Sequence, residues 1–314
     1  MPGSLTPAGA DAPIDAHDTG LHDVPFPVPG PVVAVKYEAG YASGTHKEPA
    51  ARAMVAAAAA GGYDHVVVGT CGNYGRAVAT AARDAALAST VVLPAEGHDR
   101  GAWARAMGAR VVFVDGGYED AVAEARRLSS APRTVDGNVD GPLADAVLRG
   151  HETVVEALAR TLGAAPAGLW VPVGNGTTLV AVARGVRRLG WATPIHGVSA
   201  AADNAVVSSW PGRYRPLPPD AVRLTEHNEP LVNWDALHGP QALDAVRASG
   251  GMVHGVDDDA LVTARDFLNA AGLPATAAGA AGVAGVLRHA RDHGMQGRHV
   301  VLVTGRPVAG DVPG

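Results

Sequence analysis

Short β-branched runs recur along this chain, and each is followed by an alanine-rich stretch of helical period. "HVVVG" (65–69), "TVVLP" (90–94), "RVVFV" (110–114) and "HVVLV" (299–303) are apolar at nearly every position. A strand with one wet face alternates polar and apolar residues, whereas a strand apolar throughout needs cover on both faces. Such strands alternating with helices specify βαβ units and a largely parallel sheet, so the fold class is α/β. The stretch "ARAMGARVVFVDGGYEDAVAEARRL" (104–128) shows one unit: helix, Gly108 as its stop, strand, glycine turn, helix.

The pattern predicts strands over 32–37, 65–69, 90–94, 110–114, 168–173, 195–199, 251–256 and 299–304. Helices are predicted over 50–60, 74–87, 100–107, 118–128, 152–162, 178–189, 257–271 and 278–292. Two stretches, 129–145 and 203–230, carry turn residues and little periodicity. The second is long for a structureless loop, which points to function or to short elements within it.

Composition removes several function classes. A net charge of −6 with no basic block argues against nucleic acid, and so do aromatics at 4%. No run of about 18 apolar residues exists, so no membrane span is expected. Cys71 is the only cysteine, which forbids an intrachain disulfide and points to a reducing compartment such as the cytoplasm. The opening "MPGSLTPAGADAPIDAHD" has neither the basic start nor the apolar run of a secretory signal, and residues 1–22 read as a mobile tail. Histidines and acids occur without metal-ligand spacing, so no catalytic metal is expected.

The chain has 25 basic residues, but lysine occurs only at Lys36 and Lys47. Arginine can replace lysine as a surface charge but not as a nucleophilic amine, because the guanidinium stays protonated. Lys47 lies in "ASGTHKEPAARAM" (42–54), a small-residue turn ahead of a helix. It reads as chemically required, the plain alternative being an exposed helix-start lysine. Lys36, in mid-strand, reads as a surface group or a partner of Glu38.

Two strand–glycine loop–helix junctions stand out. The first is "HVVVGTCGNYGRAVATAARDAA" (65–86) and the second "LWVPVGNGTTLVAVARGV" (169–186). Glycines let backbone N–H groups crowd an anion, and a helix N-terminus adds partial positive charge. Gly174, Asn175, Gly176, Thr177 and Thr178 therefore read as a phosphate cradle, and neither junction has the pattern of an ATP-type loop. The alternative for each is a tight connection with no ligand. A phosphate, a reactive amine and a polar asparagine together suit pyridoxal phosphate, whose aldehyde condenses with a lysine amine.

The motifs "SGTHKEPAARAM", "GTCGNYGRAVATAA", "VPVGNGTTLVAVARG" and "HVVLVTGRP" occur in the order and spacing of the fold-type II pyridoxal-phosphate enzymes. The resemblance spans about residues 25–307, and "PVGNGTT" with "VTG" is most similar to the threonine-synthase branch. It implies two doubly wound αβα domains: a large one from 1–51 plus 146–314, and a small mobile one from 52–145. It implies that Lys47 carries the cofactor and moves the proton at substrate Cα, while Asn73 bonds the cofactor O3′. The 174–178 loop takes the phosphate, Thr304 faces the pyridine nitrogen, and Thr70, Cys71 and Gly72 clamp the substrate carboxylate. The implied activity is β- or γ-elimination or replacement on an activated hydroxy amino acid, by a homodimer.

The sequence departs from the branch at three points. Pro49 follows Glu48 where an arginine is usual, Thr276-Ala277 stands where Glu-Pro is usual, and Cys71 replaces a common serine. These bear on the reaction rather than on the fold or the cofactor. A dehydratase-like or cysteine-synthase-like reaction is the near alternative. A nicotinamide-dependent oxidoreductase, using the first junction with Glu96 as ribose acid, is the alternative from another class, and a catalytically inactive relative is a third. His46 reads as a proton carrier or a structural residue, and Cys71 as a nucleophile or packing. "LTEHNEPLVNWDAL" (224–237) reads as a lining of the substrate pocket.

Overall fold

The computed structural model describes residues 19–27, 32–70, 72–95 and 101–308. The chain divides into two compact units: unit 1 holds the residues up to Gly40 and Glu152–Pro307, and unit 2 holds Tyr41–His151. Unit 1 opens with β1 (Leu21–Asp23) and β2 (Val32–Tyr37). Unit 2 follows with α1 (Glu48–Ala60), β3 (His65–Gly69), α2 (Asn73–Asp84), β4 (Ala88–Pro94), α3 (Ala102–Ala106), β5 (Arg110–Val114), α4 (Tyr118–Leu128) and β6 (Thr134–Asp136). Helix α5 (Ala144–Leu162) carries the chain past the boundary. Unit 1 then resumes with β7 (Gly168–Pro172), α6 (Thr177–Arg188), β8 (Ile195–Ala200), α7 (Ala205–Ser209), α8 (Gly239–Ser249), β9 (Val253–Val256), α9 (Asp258–Ala270), α10 (Ala281–His293) and β10 (Arg298–Val303).

Each unit has its own sheet. Unit 2 orders its strands β5-β4-β3-β6, all parallel. Unit 1 orders them β1-β2-β10-β7-β8-β9, parallel except for the β1–β2 pair. Both sheets are covered on both faces, as their unbroken apolar strands require. In unit 1, Val301, Val303 and Val198 pack under α9 and α10, while Val300, Leu302 and Val171 pack under α5, α6 and α8. In unit 2, Val66, Val68 and Val91 meet α1 and α2, and Val67 and Val92 meet α4. The α/β class and the doubly wound, mostly parallel architecture are as the sequence predicts.

Four elements differ from the prediction. Residues 21 and 22, assigned to a tail, form β1 together with Asp23, paired antiparallel with β2, and Val24 is buried just after it; residues 1–18 lie outside the described residues. Strand β6 lies within 129–145, and its three residues are too few to show periodicity. Helix α5 begins at Ala144 rather than 152 and carries Gly150 in its interior. Glycine normally weakens a helix, but here a Cβ would stand 2.4 Å from the Ala50 Cα, so the residue permits close helix packing. Helix α8 was not foreseen: no side chain caps its start at His238, and its marks are a proline in the first turn and a left-handed Gly250 at its end. The stretch 203–230 holds α7 and a short 3-10 turn, as its length suggested.

Close approach also sets the end of β3. A Cβ on Gly69 would lie 2.4 Å from the Ala121 carbonyl oxygen and 2.5 Å from the Val122 nitrogen, both backbone atoms of α4. Backbone cannot move aside cheaply, and overpacking of this kind costs about 1–3 kcal/mol or more. Gly69→Ala is expected to lower the stability of the protein by about 3 kcal/mol, read as a lower urea midpoint with unchanged slope.

Candidate active site

In unit 2 the lysine turn is built around a buried carboxylate. Lys47 is the N-cap residue of α1 and is half-buried, with φ −81° and ψ −10°. Its backbone N–H lies 3.4 Å from Thr45 Oγ1. The next residue, Glu48, is 2% exposed. One of its oxygens accepts the Ser43 N–H at 2.8 Å, and the other accepts Arg52 Nε at 3.0 Å and Nη2 at 2.8 Å. Arg52 also pairs with Asp84 at 2.9 Å, and its bond to Glu48 raises the guanidinium pKa further. Pro49 lies in the first turn of α1, where its missing N–H has no intrahelical partner to lose. The cation that Pro49 omits is delivered to Glu48 one turn later, by Arg52. The His46 ring faces His151 at 5.4 Å.

The first glycine loop is shaped by Thr70. That residue is buried and donates its N–H to Val92 at 3.0 Å. Its hydroxyl oxygen accepts the N–H of Gly72 at 3.1 Å and of Gly75 at 3.3 Å, tying the loop onto the start of α2. Gly75 makes this possible, since a Cβ there would lie 2.3 Å from Thr70 Cγ2. Asn73, half-buried, is the first residue of α2. Tyr74 follows and donates its phenol to Gly137 O at 2.9 Å, and burial pushes its pKa far above the usual value. Asn138 holds the end of β3, accepting the Gly69 N–H at 3.1 Å. Sequence reasoning missed Asn138; its signal was the turn "DGN" directly after β6. Cys71 and Glu96 lie outside the described residues.

In unit 1 the second glycine loop runs from β7 into α6. Gly176 is the N-cap, in the left-handed region at φ 84°, which suits glycine alone at low strain. A Cβ on Gly174 would lie 2.6 Å from Pro230 O, and one on Gly176 would lie 3.0 Å from His238 O. The loop is thus seated against residues 230–238, part of the stretch read as a pocket lining. Asn175 uses its side-chain oxygen here, accepting Asn233 Nδ2 at 2.8 Å and the Leu237 N–H at 3.2 Å. Its side chain therefore anchors the neighbouring segment. Thr177 Oγ1 lies 3.0 Å from His238 Nδ1, and Thr178 is half-buried at the helix start. Beneath them Asn204, fully buried, donates to Leu231 O at 2.7 Å and Gly174 O at 3.1 Å. His238 and Asn204 carried no motif and were not foreseen.

Thr304 is buried and follows β10, which pairs with β7. Neighbouring parallel strands bring it to the same sheet edge as the 174–178 loop. Its N–H donates to Gly279 O at 3.1 Å, and the Thr276 N–H donates to Gly305 O at 2.9 Å. Thr276 Oγ1 accepts the Gly279 N–H at 3.1 Å. The unusual Thr276 thus clasps the segment that holds Thr304. Lys36 is 5% exposed and pairs with Glu38 at 2.7 Å, so its pairing is as predicted but its head is not at the surface.

The groups present suit pyridoxal phosphate. Unit 1 offers a glycine loop at a helix N-terminus with two hydroxyls, those of Thr177 and Thr178, and unit 2 offers a lysine in a tightly held turn. The chain belongs to the pyridoxal-phosphate dependent enzymes, whose family profile matches residues 17–305. Pyridoxal phosphate is its cofactor, which sets aside the nicotinamide reading. Among relatives, a threonine synthase of Synechocystis sp. is 30% identical over 86% of this chain and 70% of its own length. A Mus musculus L-serine dehydratase/L-threonine deaminase is 31% identical over 52% of this chain and 50% of its own. The crystal structure of a T.th. threonine deaminase superposes with a TM-score of 0.74 at 24% identity, covering 89% of both chains.

The geometry of the lysine turn makes a direct prediction. Glu48→Ala strands the Ser43 N–H and the Arg52 guanidinium, and is expected to cost about 2–3 kcal/mol. Arg52→Ala leaves the buried Glu48 carboxylate without its guanidinium and is expected to cost about 3 kcal/mol. Urea denaturation of both variants checks the two values.

Proposed function

We propose that this enzyme is a lyase or synthase of threonine-synthase type, acting on an amino acid with an oxygen leaving group. The observation that carries this reading is 30% identity to a threonine synthase across 86% of the chain. A dehydratase reaction is the second reading, favoured by the 31% identity to the L-serine dehydratase/L-threonine deaminase over about half of the chain. We also infer a homodimer in a reducing compartment, from the family resemblance and the single cysteine.

Pyridoxal phosphate, when bound, supplies an electron sink for charge that develops at substrate Cα. Lys47 would hold the cofactor through its ε-amine and then take and return the Cα proton. The Glu48–Arg52 pair would fix the turn from which Lys47 works. Gly174, Asn175, Gly176, Thr177 and Thr178 would receive the phosphate at the N-terminus of α6. Asn73 would donate to the O3′ position, and Thr304 would present a hydroxyl to the pyridine nitrogen. The Thr70–Gly72 loop would clamp the substrate carboxylate; the Thr70 hydroxyl, whose oxygen accepts the N–H of Gly72 and of Gly75, keeps its own hydrogen to donate.

The first test is the visible spectrum before and after borohydride, followed by assays with O-phosphohomoserine, L-serine and L-threonine. Phosphate and threonine released from O-phosphohomoserine support the synthase reading, and a 2-oxo acid from serine or threonine supports the dehydratase. Lys47→Ala is expected to lose the borohydride-trapped adduct and about 10³-fold or more in turnover. Retention of either would remove Lys47 from its role. Gly176→Ala introduces left-handed strain of about 1–2 kcal/mol at the cradle and is expected to weaken cofactor binding about tenfold, measured by titrating the apoprotein.

A further inference from the structure

Unit 1 gathers an imidazole cluster at the opposite edge of its sheet from Thr304 and the 174–178 loop. His196 is the second residue of β8, His254 the second of β9, and His289 lies near the end of α10. Trp170 pairs with His196 across β7 and β8, so the two rings share a face and stack at 4.1 Å and 7°. His254 and His289 close round the same indole at 5.2 Å each.

Packing alone leaves three polar atoms unexplained. His196 Nδ1, His254 Nε2 and His289 Nδ1 are buried with no hydrogen-bond partner among the described residues. One ring nitrogen from each residue falls within 4.8 Å of the other two. The neighbouring His299 is different: its Nδ1 accepts Trp170 Nε1 at 3.2 Å and its Nε2 lies 3.1 Å from Gln296 O, so both nitrogens are spoken for. Burial is the main cause that pushes His196 down to about 3 and His254 to about 4, and it lowers His289 as well. All three are thus neutral at pH 7, the form that ligates metals. Arg288 and Asp292, which pair at 3.7 Å, act on His254 with opposite signs.

We propose that His196, His254 and His289 form a divalent metal site, with zinc as its ion, that fastens the starts of β8 and β9 to the end of α10. Imidazole nitrogen suits zinc, nickel and copper, and three such ligands with a fourth position completed by solvent is a common zinc geometry. Zinc–nitrogen bonds of about 2.1 Å at the tetrahedral angle set ligand atoms about 3.4 Å apart. Ring rotations close that difference. His289 is only half-buried, which leaves solvent a route to the fourth position. The Trp170 face and the aliphatic core form the dry shell that such a site needs. Three imidazoles with one solvent ligand is the coordination of open zinc sites. Here the ion lies at the opposite ends of the strands from Thr304 and the 174–178 loop, and the role assigned to it is to cross-link β8, β9 and α10.

The test uses the full-length, cofactor-loaded protein, stripped with a chelator, incubated with zinc and desalted. One equivalent of zinc by mass spectrometry and a melting temperature raised by several degrees are expected. His254→Asn and His289→Gln are expected to lose the zinc and the shift while keeping the cofactor's visible band. X-ray absorption on the wild-type zinc form is expected to show three imidazoles. No retained zinc, a full equivalent retained by His289→Gln, or a zinc shell with fewer than three imidazoles would each overturn the proposal.

Discussion

The close approach of helices to two parallel sheets is the constraint on which the rest of this structure depends. Both sheets are apolar on both faces, so each must be sealed by helices, and the seal is made with small residues. Gly69 against the backbone of α4, Gly285 against Val198 and Gly150 against Ala50 mark where a side chain would hold the layers apart. Alanine does the same work along α1 and α2, where Ala50, Ala51, Ala77, Ala81 and Ala82 are buried. The tight layers leave the strand ends as the places where backbone groups can turn outward. Both glycine loops and Thr304 sit at such ends.

Much of this was legible because the strands are continuous and apolar. The bounds of β2, β3, β5 and α4 agree with the prediction to the residue, since glycine or proline punctuates most of their ends. The misses have physical causes. β1 and β6 are three residues each, below the length at which alternation can be read. Helix α8 begins without a capping side chain and follows a long turn-rich stretch. The partners of the glycine loops, Asn138, Asn204 and His238, act through hydrogen bonds to backbone and hydroxyl groups across long sequence separations, which no local pattern encodes. The histidine cluster was missed because its members are spread from 196 to 289, although "IHGV" (195–198) and "VHGV" (253–256) place two of them at the same position of successive strands.

The departures from the family pattern take on meaning from their surroundings. Pro49 starts a helix, and Arg52 meets Glu48 from the next turn. Thr276 accepts the Gly279 N–H on its hydroxyl and donates its own N–H to Gly305 O, on either side of the Thr304–Gly279 bond. In each case side-chain hydrogen bonds of this chain hold the turn. Of the two lysines, Lys36 is consumed by a buried pair with Glu38, which leaves Lys47 as the only other amine side chain in the chain.

The position of β10 governs how such a chain is made. This last strand sits inside its sheet, between β2 near the beginning and β7 in the middle. While the polypeptide emerges from the ribosome, β2 has β1 on one side and an unpaired edge on the other until residue 303 is in hand. Unit 2 has all its described strands within residues 65–136. It can fold while unit 1 is still waiting. A nascent chain halted before β10 would thus hold one finished sheet and one open seam.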